Sequence, residues 1–132
     1  MRPLLLLLIA FPLAAQSGPY APGMTITHSV KIRPGHYAAP PGDSAALTIR
    51  GSDIMVDLTG VELIGNPDQE HPDQFTGTAL RIVGGRNITV KGLHARGYKV
   101  GIIARGVSRL TLLDNDLSYN WKPRLYSGIE KE

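Results

Sequence analysis

Ala46-Leu47-Thr48-Ile49-Arg50-Gly51 followed by Asp53-Ile54-Met55-Val56, Ala79-Leu80-Arg81-Ile82-Val83-Gly84 followed by Asn87-Ile88-Thr89-Val90, and Gly101-Ile102-Ile103-Ala104-Arg105-Gly106 followed by Arg109-Leu110-Thr111-Leu112 are three versions of one phrase. Each begins with a small residue, carries apolar side chains at its second and fourth positions, and reaches a glycine at its sixth. A polar residue and an apolar-x-apolar triplet come next. Recurrence of this kind is read before local structure, because a repeat sets the architecture. The unit is about 22 residues long, and the interval between the first two is lengthened by about eleven residues within Asn66–Thr78.

The apolar alternation has period two, the mark of a strand with one buried face. Leu47, Ile49, Ile54, Val56 and Leu58 are expected inside in the first unit. Leu80, Ile82, Ile88, Val90 and Leu93 are their counterparts in the second, and Ile102, Ala104, Leu110, Leu112 and Leu117 in the third. Gly51, Gly84 and Gly106 fall between the strands of a unit, where a sharp corner calls for positive φ. A unit this short, with strands and no helix, buries nothing alone, so the units must stack with equivalent strands parallel and about 4.8 Å apart. A β-sandwich is the alternative, since period-two strands with glycine turns also suit it. The register of a stack would place Asp57, Lys91 and Leu113 in one column, Thr48, Arg81 and Ile103 in another, and Asp53, Asn87 and Arg109 at a turn. Thr25-Ile26-Thr27, Val30-Lys31-Ile32 and Pro34-Gly35-His36-Tyr37 read as an imperfect opening coil.

Composition narrows the classes. The chain has 132 residues, no cysteine, 15 glycines and 10 prolines, with 42% hydrophobic and 19% charged residues. That balance fits short strands and tight turns, and neither a disordered chain nor a helical bundle. Without cysteine there is no disulfide framework, no thiolate metal site and no thiol nucleophile. The formal charge of +3 is too small for the basic stripe of a nucleic-acid binder.

With Ile54-Met55-Val56-Asp57-Leu58-Thr59-Gly60, Asn87-Ile88-Thr89-Val90-Lys91-Gly92-Leu93 and Leu110-Thr111-Leu112-Leu113-Asp114-Asn115-Asp116-Leu117-Ser118-Tyr119-Asn120 in register, the chain resembles the right-handed parallel β-helix proteins of the pectate-lyase-like superfold. The resemblance extends over residues 24 to 129. It implies an all-β solenoid of about three coils, with side-chain amides laddering at a turn. It also implies a polysaccharide partner, and an enzyme of the lyase, hydrolase or epimerase kind in a longer parent. In such lyases outer aspartates hold calcium, but this sequence carries neither that phrase nor the family's catalytic phrases, so no catalytic residue, metal or other cofactor is assigned.

The ends carry their own signals. Met1-Arg2-Pro3, the apolar run Leu4–Phe11 and the small residues Leu13-Ala14-Ala15 form the pattern of a cleavable signal peptide over 1–15, too short to span a bilayer. Residues 16–23 read as a linker and 24–132 as the repeats, in a secreted or periplasmic protein with no membrane span. Gly128-Ile129 resembles the unit start Gly101-Ile102, so a further coil is expected to begin there, and the chain is expected to be the N-terminal scaffold of a longer protein, inactive by itself.

Three clusters are candidates for chemistry. Asp114-Asn115-Asp116 is acidic but suits an Asn turn better. Glu70-His71-Pro72-Asp73 offers carboxylate, imidazole and carboxylate in the insertion, and a solvated proline loop is the plainer reading. Tyr119, Trp121, Lys122, Arg124 and Tyr126 are the preferred substrate-binding set, because aromatic faces stack on sugar rings and basic tips pair with carboxylates. The competing reading of that segment is a self-packed loop with Trp121 covering the interior. His94, Arg96 and Lys99 read as turn and surface residues. The function expected is binding of, or action on, an extended and acidic polysaccharide. The alternative is a non-catalytic adhesin or periplasmic accessory protein.

Overall fold

The computed structural model of the chain describes residues 17–38 and 45–123, which leaves residues 1–15, read above as a signal peptide, and Arg124, Tyr126 and Gly128-Ile129 outside the described residues. Among the described residues eleven strands follow one another: β1 (Met24–Ile26), β2 (Val30–Lys31), β3 (Gly35–Ala38), β4 (Leu47–Arg50), β5 (Ile54–Asp57), β6 (Val61–Ile64), β7 (Thr78–Val83), β8 (Arg86–Lys91), β9 (His94–Arg96), β10 (Val100–Arg105) and β11 (Ser108–Leu113). One turn of 3₁₀ helix, Pro72–Gln74, interrupts them. Every third strand joins the same sheet. The orders are β1-β4-β7-β10, β2-β5-β8-β11 and β3-β6-β9, and all pairs are parallel. The protein is thus all-β, and its three parallel sheets fit a β-solenoid, not a sandwich of antiparallel strands.

The register matches the repeat position for position. Leu47, Leu80 and Ile102 stand in one column, Ile49, Ile82 and Ala104 in the next, and Val56, Val90 and Leu112 in a third. Period-two alternation aims each column at the shared interior. The first two units are sealed: Leu47, Ile49, Val56, Leu58, Leu80, Ile82, Ile88, Val90 and Leu93 are all fully buried. Tyr98, which follows β9, joins that core at 0% exposure, and burial of its phenol holds its pKa well above the ordinary range.

The third unit keeps the register and loses the burial. Leu112 is 45% exposed and Ala104 is exposed, while Ile102, Leu110 and Leu117 are partly covered. The reason is geometric. An inward side chain is buried by the rungs on both sides, and β10 and β11 have a partner strand on one side only among the described residues. The opposite end is closed. Gly18 bridges to Ile32, Tyr20 stacks on Tyr37 at 4.9 Å, and the Tyr20 hydroxyl donates to the Ala46 carbonyl at 2.8 Å. Burial pushes the Tyr20 phenol up to about 12.

The corners use two devices. Gly84 and Gly106 both sit at φ +66; a Cβ would meet nothing at Gly84 and only an ordinary contact with Gly84 Cα, 3.8 Å away, at Gly106, so conformation selects glycine there. Gly85 also has positive φ, but a Cβ on it would run into the Gly51 carbonyl oxygen of the neighbouring rung. Asp53, Asn87 and Arg109, stacked as expected, share a left-handed φ of 56 to 59°, and Asn87 Nδ2 donates to Asp53 Oδ1 at 2.8 Å. Asn tolerates that conformation because its short amide bonds locally.

Candidate functional site

The outward side chains of the third sheet form a column that repeat reading alone does not expose. Register pairs His36 of β3 with Glu62 of β6, and Glu62 with His94 of β9; a bridge pairs His94 with Asp116. Imidazole and carboxylate therefore alternate at the strand spacing, about 4.8 Å. Tyr37, Leu63 and Ala95, the alternate residues, face the core. Glu62 is the hub. Its Oε1 meets His36 Nδ1 at 2.6 Å and its Oε2 meets Arg96 Nε at 3.0 Å. The hydrogen bond from His36 and the nearby Arg96 charge hold the Glu62 carboxyl below the usual carboxylate range. The Ser118 hydroxyl and N–H do the same for Asp116, with a smaller contribution from His94.

A partly enclosed cleft of about 380 Å³ lies beside this column. The eleven-residue insertion builds one wall, with Asn66, Pro67, Gln69, Glu70 and Phe75; β6 adds Ile64, β9 adds Arg96, and Gly97 follows β9. Tyr119 closes the other side. A smaller hollow of about 50 Å³ shares Arg96 and Tyr119 with it and reaches Glu62, His94 and Asp116, so cleft and column adjoin. The insertion is pinned at its base: Asn66 Nδ2 donates to the carbonyls of Thr76 (3.0 Å) and Gly97 (2.5 Å). Phe75 is buried beneath the loop, and the Tyr119 ring meets it edge-on with centroids 5.7 Å apart. Trp121 Nε1 donates to the Asp73 carbonyl at 3.1 Å, which ties the segment after β11 to the insertion.

The residues singled out from sequence separate. Tyr119 is 44% exposed and lines the cleft. Trp121 is 42% exposed, and its indole N–H is spent on the insertion loop and not on the cleft lining. Lys122 is exposed, and Arg124 and Tyr126 lie outside the described residues. The Asp114-Asn115-Asp116 cluster does not converge. Asp114 takes a left-handed turn (φ 53), Asn115 turns to the preceding rung, where it accepts from Leu93 N–H at 2.8 Å and donates to the Val90 carbonyl at 3.1 Å, and Asp116 joins the outer column. Asn120 repeats the Asn115 role, accepting from Tyr98 N–H at 3.0 Å and donating to the Ala95 carbonyl at 2.9 Å. Of Glu70-His71-Pro72-Asp73, Glu70 reaches the cleft while His71 leads into the 3₁₀ turn. Asp57 and Lys91 are opposite in register as expected, yet the ion pair of Asp57 is with Lys31, at 3.6 Å.

His94 and Arg96, read from sequence as turn and surface residues, are strand residues of this site. The signal that could have found them was in the chain: extending the alignment into the third strand superposes His36-Tyr37-Ala38, Glu62-Leu63-Ile64, His94-Ala95-Arg96 and Asp116-Leu117-Ser118. Among the described residues no three His, Asp or Glu side chains converge as a metal-holding group, and no helix is long and apolar enough to cross a membrane. Comparison with protein families, with curated proteins and with solved structures finds no match to the chain.

Proposed function

We propose that this is an exported right-handed parallel β-helix of about three coils that binds an extended acidic polysaccharide. The right-handed sense follows from the general preference of parallel crossover connections within one sheet. The glycan would lie along the outer column of the third sheet and end its contact in the cleft. The observation that carries this reading is the joining of two surfaces. One is a polar column repeating at the strand spacing, close to the advance of successive sugars in an extended glycan. The other is a cleft with an aromatic face (Tyr119), amides (Asn66, Gln69) and a guanidinium (Arg96). Rings stack on the C–H faces of sugars, and a guanidinium pairs with a uronate carboxylate.

Binding fits the site better than catalysis. Glu62 is held ionised by His36 and Arg96, which suits an acceptor of sugar hydroxyls and not a donor of protons. The test is titration of the full chain with oligogalacturonate, followed by Trp121 fluorescence. Arg96→Ala and Tyr119→Ala are expected to weaken binding at least about tenfold, in line with loss of a charge-assisted contact and a stacking face. No response to any acidic glycan refutes the reading. Elimination products absorbing in the ultraviolet would show that the site is catalytic.

A further inference from the structure

The first sheet carries a second surface, unlike the outer column in shape and in charge. Its outward positions alternate with buried Leu47, Ile49, Leu80 and Ile82, and they hold Arg50 on β4, Arg81 on β7 and Arg105 on β10. Register sets Arg81 between Thr48 and Ile103, and Val83 between Arg50 and Arg105. The three arginine α-carbons therefore mark a triangle with edges of about 8–10 Å on one sheet. Arg86, which pairs with Ser108, and Arg109 extend the cationic face around the next corner. None of these five guanidinium groups takes part in an ion pair or a side-chain hydrogen bond among the described residues. Asp53, the carboxylate at that corner, accepts from Asn87 Nδ2 at 2.8 Å. Other carboxylates gather elsewhere, Glu62 and Asp116 on the third-sheet column and Glu70 on the insertion. A formal charge of only +3 thus conceals one strongly positive face.

Shape and composition select the partner. Cations spread in two dimensions match a plane of anions better than a single strand of them. A linear polyanion is held by a groove or by stacking on aromatic rings, and the positions between these arginines are Thr48, Val83, Ile103, Asn87 and Ser108, with no ring among them. The groove of a duplex admits a helix or a two-stranded ribbon, for which a broader sheet face is no substitute. Arginine is the side chain whose planar fork pairs with phosphate. Val83 and Ile103 are half-buried, and no large apolar side chain of this face is exposed, so the contact stays at the level of headgroups. From this geometry we infer that the arginine face of the first sheet docks on the phosphate layer of an anionic lipid bilayer, as a peripheral contact held by charge. It uses a different sheet from the glycan site and does not rest on that reading. Each guanidinium near such a surface raises the partition coefficient about fivefold.

Co-sedimentation of the full chain with vesicles tests it. One set of vesicles is phosphatidylcholine alone, and the other carries about one phosphatidylglycerol in three. Residues 1–15 are present in every sample, so differences between lipids and between variants carry the result. At about 0.1 M salt the chain is expected to bind the anionic vesicles at least about 100-fold more strongly, and to lose most of that preference at about 1 M, where charges are screened within about 3 Å. Arg50→Gln with Arg105→Gln, both at exposed positions, is expected to weaken binding to anionic vesicles about 25-fold. The charge-matched pair Arg33→Gln with Lys91→Gln, which lies off this face, is expected to weaken it under about threefold, with circular dichroism showing the wild-type fold in both. Equal binding to neutral and anionic vesicles, full binding by the Arg50 and Arg105 variant, or an equal loss in the charge-matched pair overturns the docking face. So does capture of a DNA duplex or an acidic glycan that depends on Arg50 and Arg105 when vesicle binding does not.

Discussion

Replacing Leu80 and, separately, Leu112 by alanine measures how far burial depends on having a rung on each side. Leu80 lies between Leu47 and Ile102 in one column and is fully buried, whereas Leu112 occupies an equally inward position over Val90 but is 45% exposed. Truncation at Leu80 removes three carbons from the core, a transfer loss of about 2 kcal/mol. The strands above and below are held apart by their ladders, so the void cannot collapse, and the cavity term brings the expected cost to about 3–4 kcal/mol. At Leu112 roughly half of the transfer loss is already absent and no closed void forms, so about 1 kcal/mol is expected. Urea unfolding followed by circular dichroism reads this directly. With a slope of about 1.5 kcal/mol per molar, the midpoint drops by about 2 M for Leu80→Ala and by about 0.7 M for Leu112→Ala. Costs within about 0.5 kcal/mol of each other, well inside the difference that burial predicts, would refute the reasoning and show that the third unit is as enclosed as the second.

Gly84→Ala is expected to cost about 1–2 kcal/mol, the strain of a Cβ in left-handed backbone with open space around it. Gly85→Ala, whose Cβ meets the Gly51 carbonyl, is expected to cost about 4 kcal/mol or prevent folding; similar melting of the two variants would contradict the close-approach argument. Asn115→Ala strips partners from Leu93 N–H and the Val90 carbonyl and is expected to cost about 2 kcal/mol in denaturant unfolding, with Asn115→Asp recovering only the acceptor half. Asp57 is held below its ordinary value of 3.8, first by the Thr59 hydroxyl and then by the Thr59 N–H and the Lys31 and Lys91 charges. A lowered folded-state pKa gives stability that is present above 3.8 and lost as pH falls through the folded value. Asp57→Asn should therefore flatten the acid limb of a stability–pH curve and leave its shape above pH 6 unchanged; an unchanged acid limb counts against the pairing.

The repeat made most of the architecture legible from the residues themselves. A period-two pattern with glycine at fixed positions leaves one economical way to bury its apolar face, and like positions did fall over like: Val56 on Val90 on Leu112, Asp57 beside Lys91, Asp53 beside Asn87. Tyr119, picked out as an aromatic in a segment that breaks the repeat, lies at the wall of the cleft. Gly85 was not legible, because its need for glycine comes from a carbonyl on another rung, 34 residues away in sequence. Nor could the pattern show that Ala104 and Leu112 stay open to solvent, since inward orientation is local and coverage belongs to the neighbouring strand.

Sequence alone therefore determined which side chains turn inward, where the corners fall and that the units stack in parallel, because alternation and glycine placement are properties of adjacent residues. Only the tertiary structure decided that His36, Glu62, His94 and Asp116 form one column and that the insertion folds back to make a cleft with Tyr119. Those neighbours are 22 to 32 residues apart along the chain. Their meeting depends on how far each rung and each insertion carries the backbone before the next strand pairs.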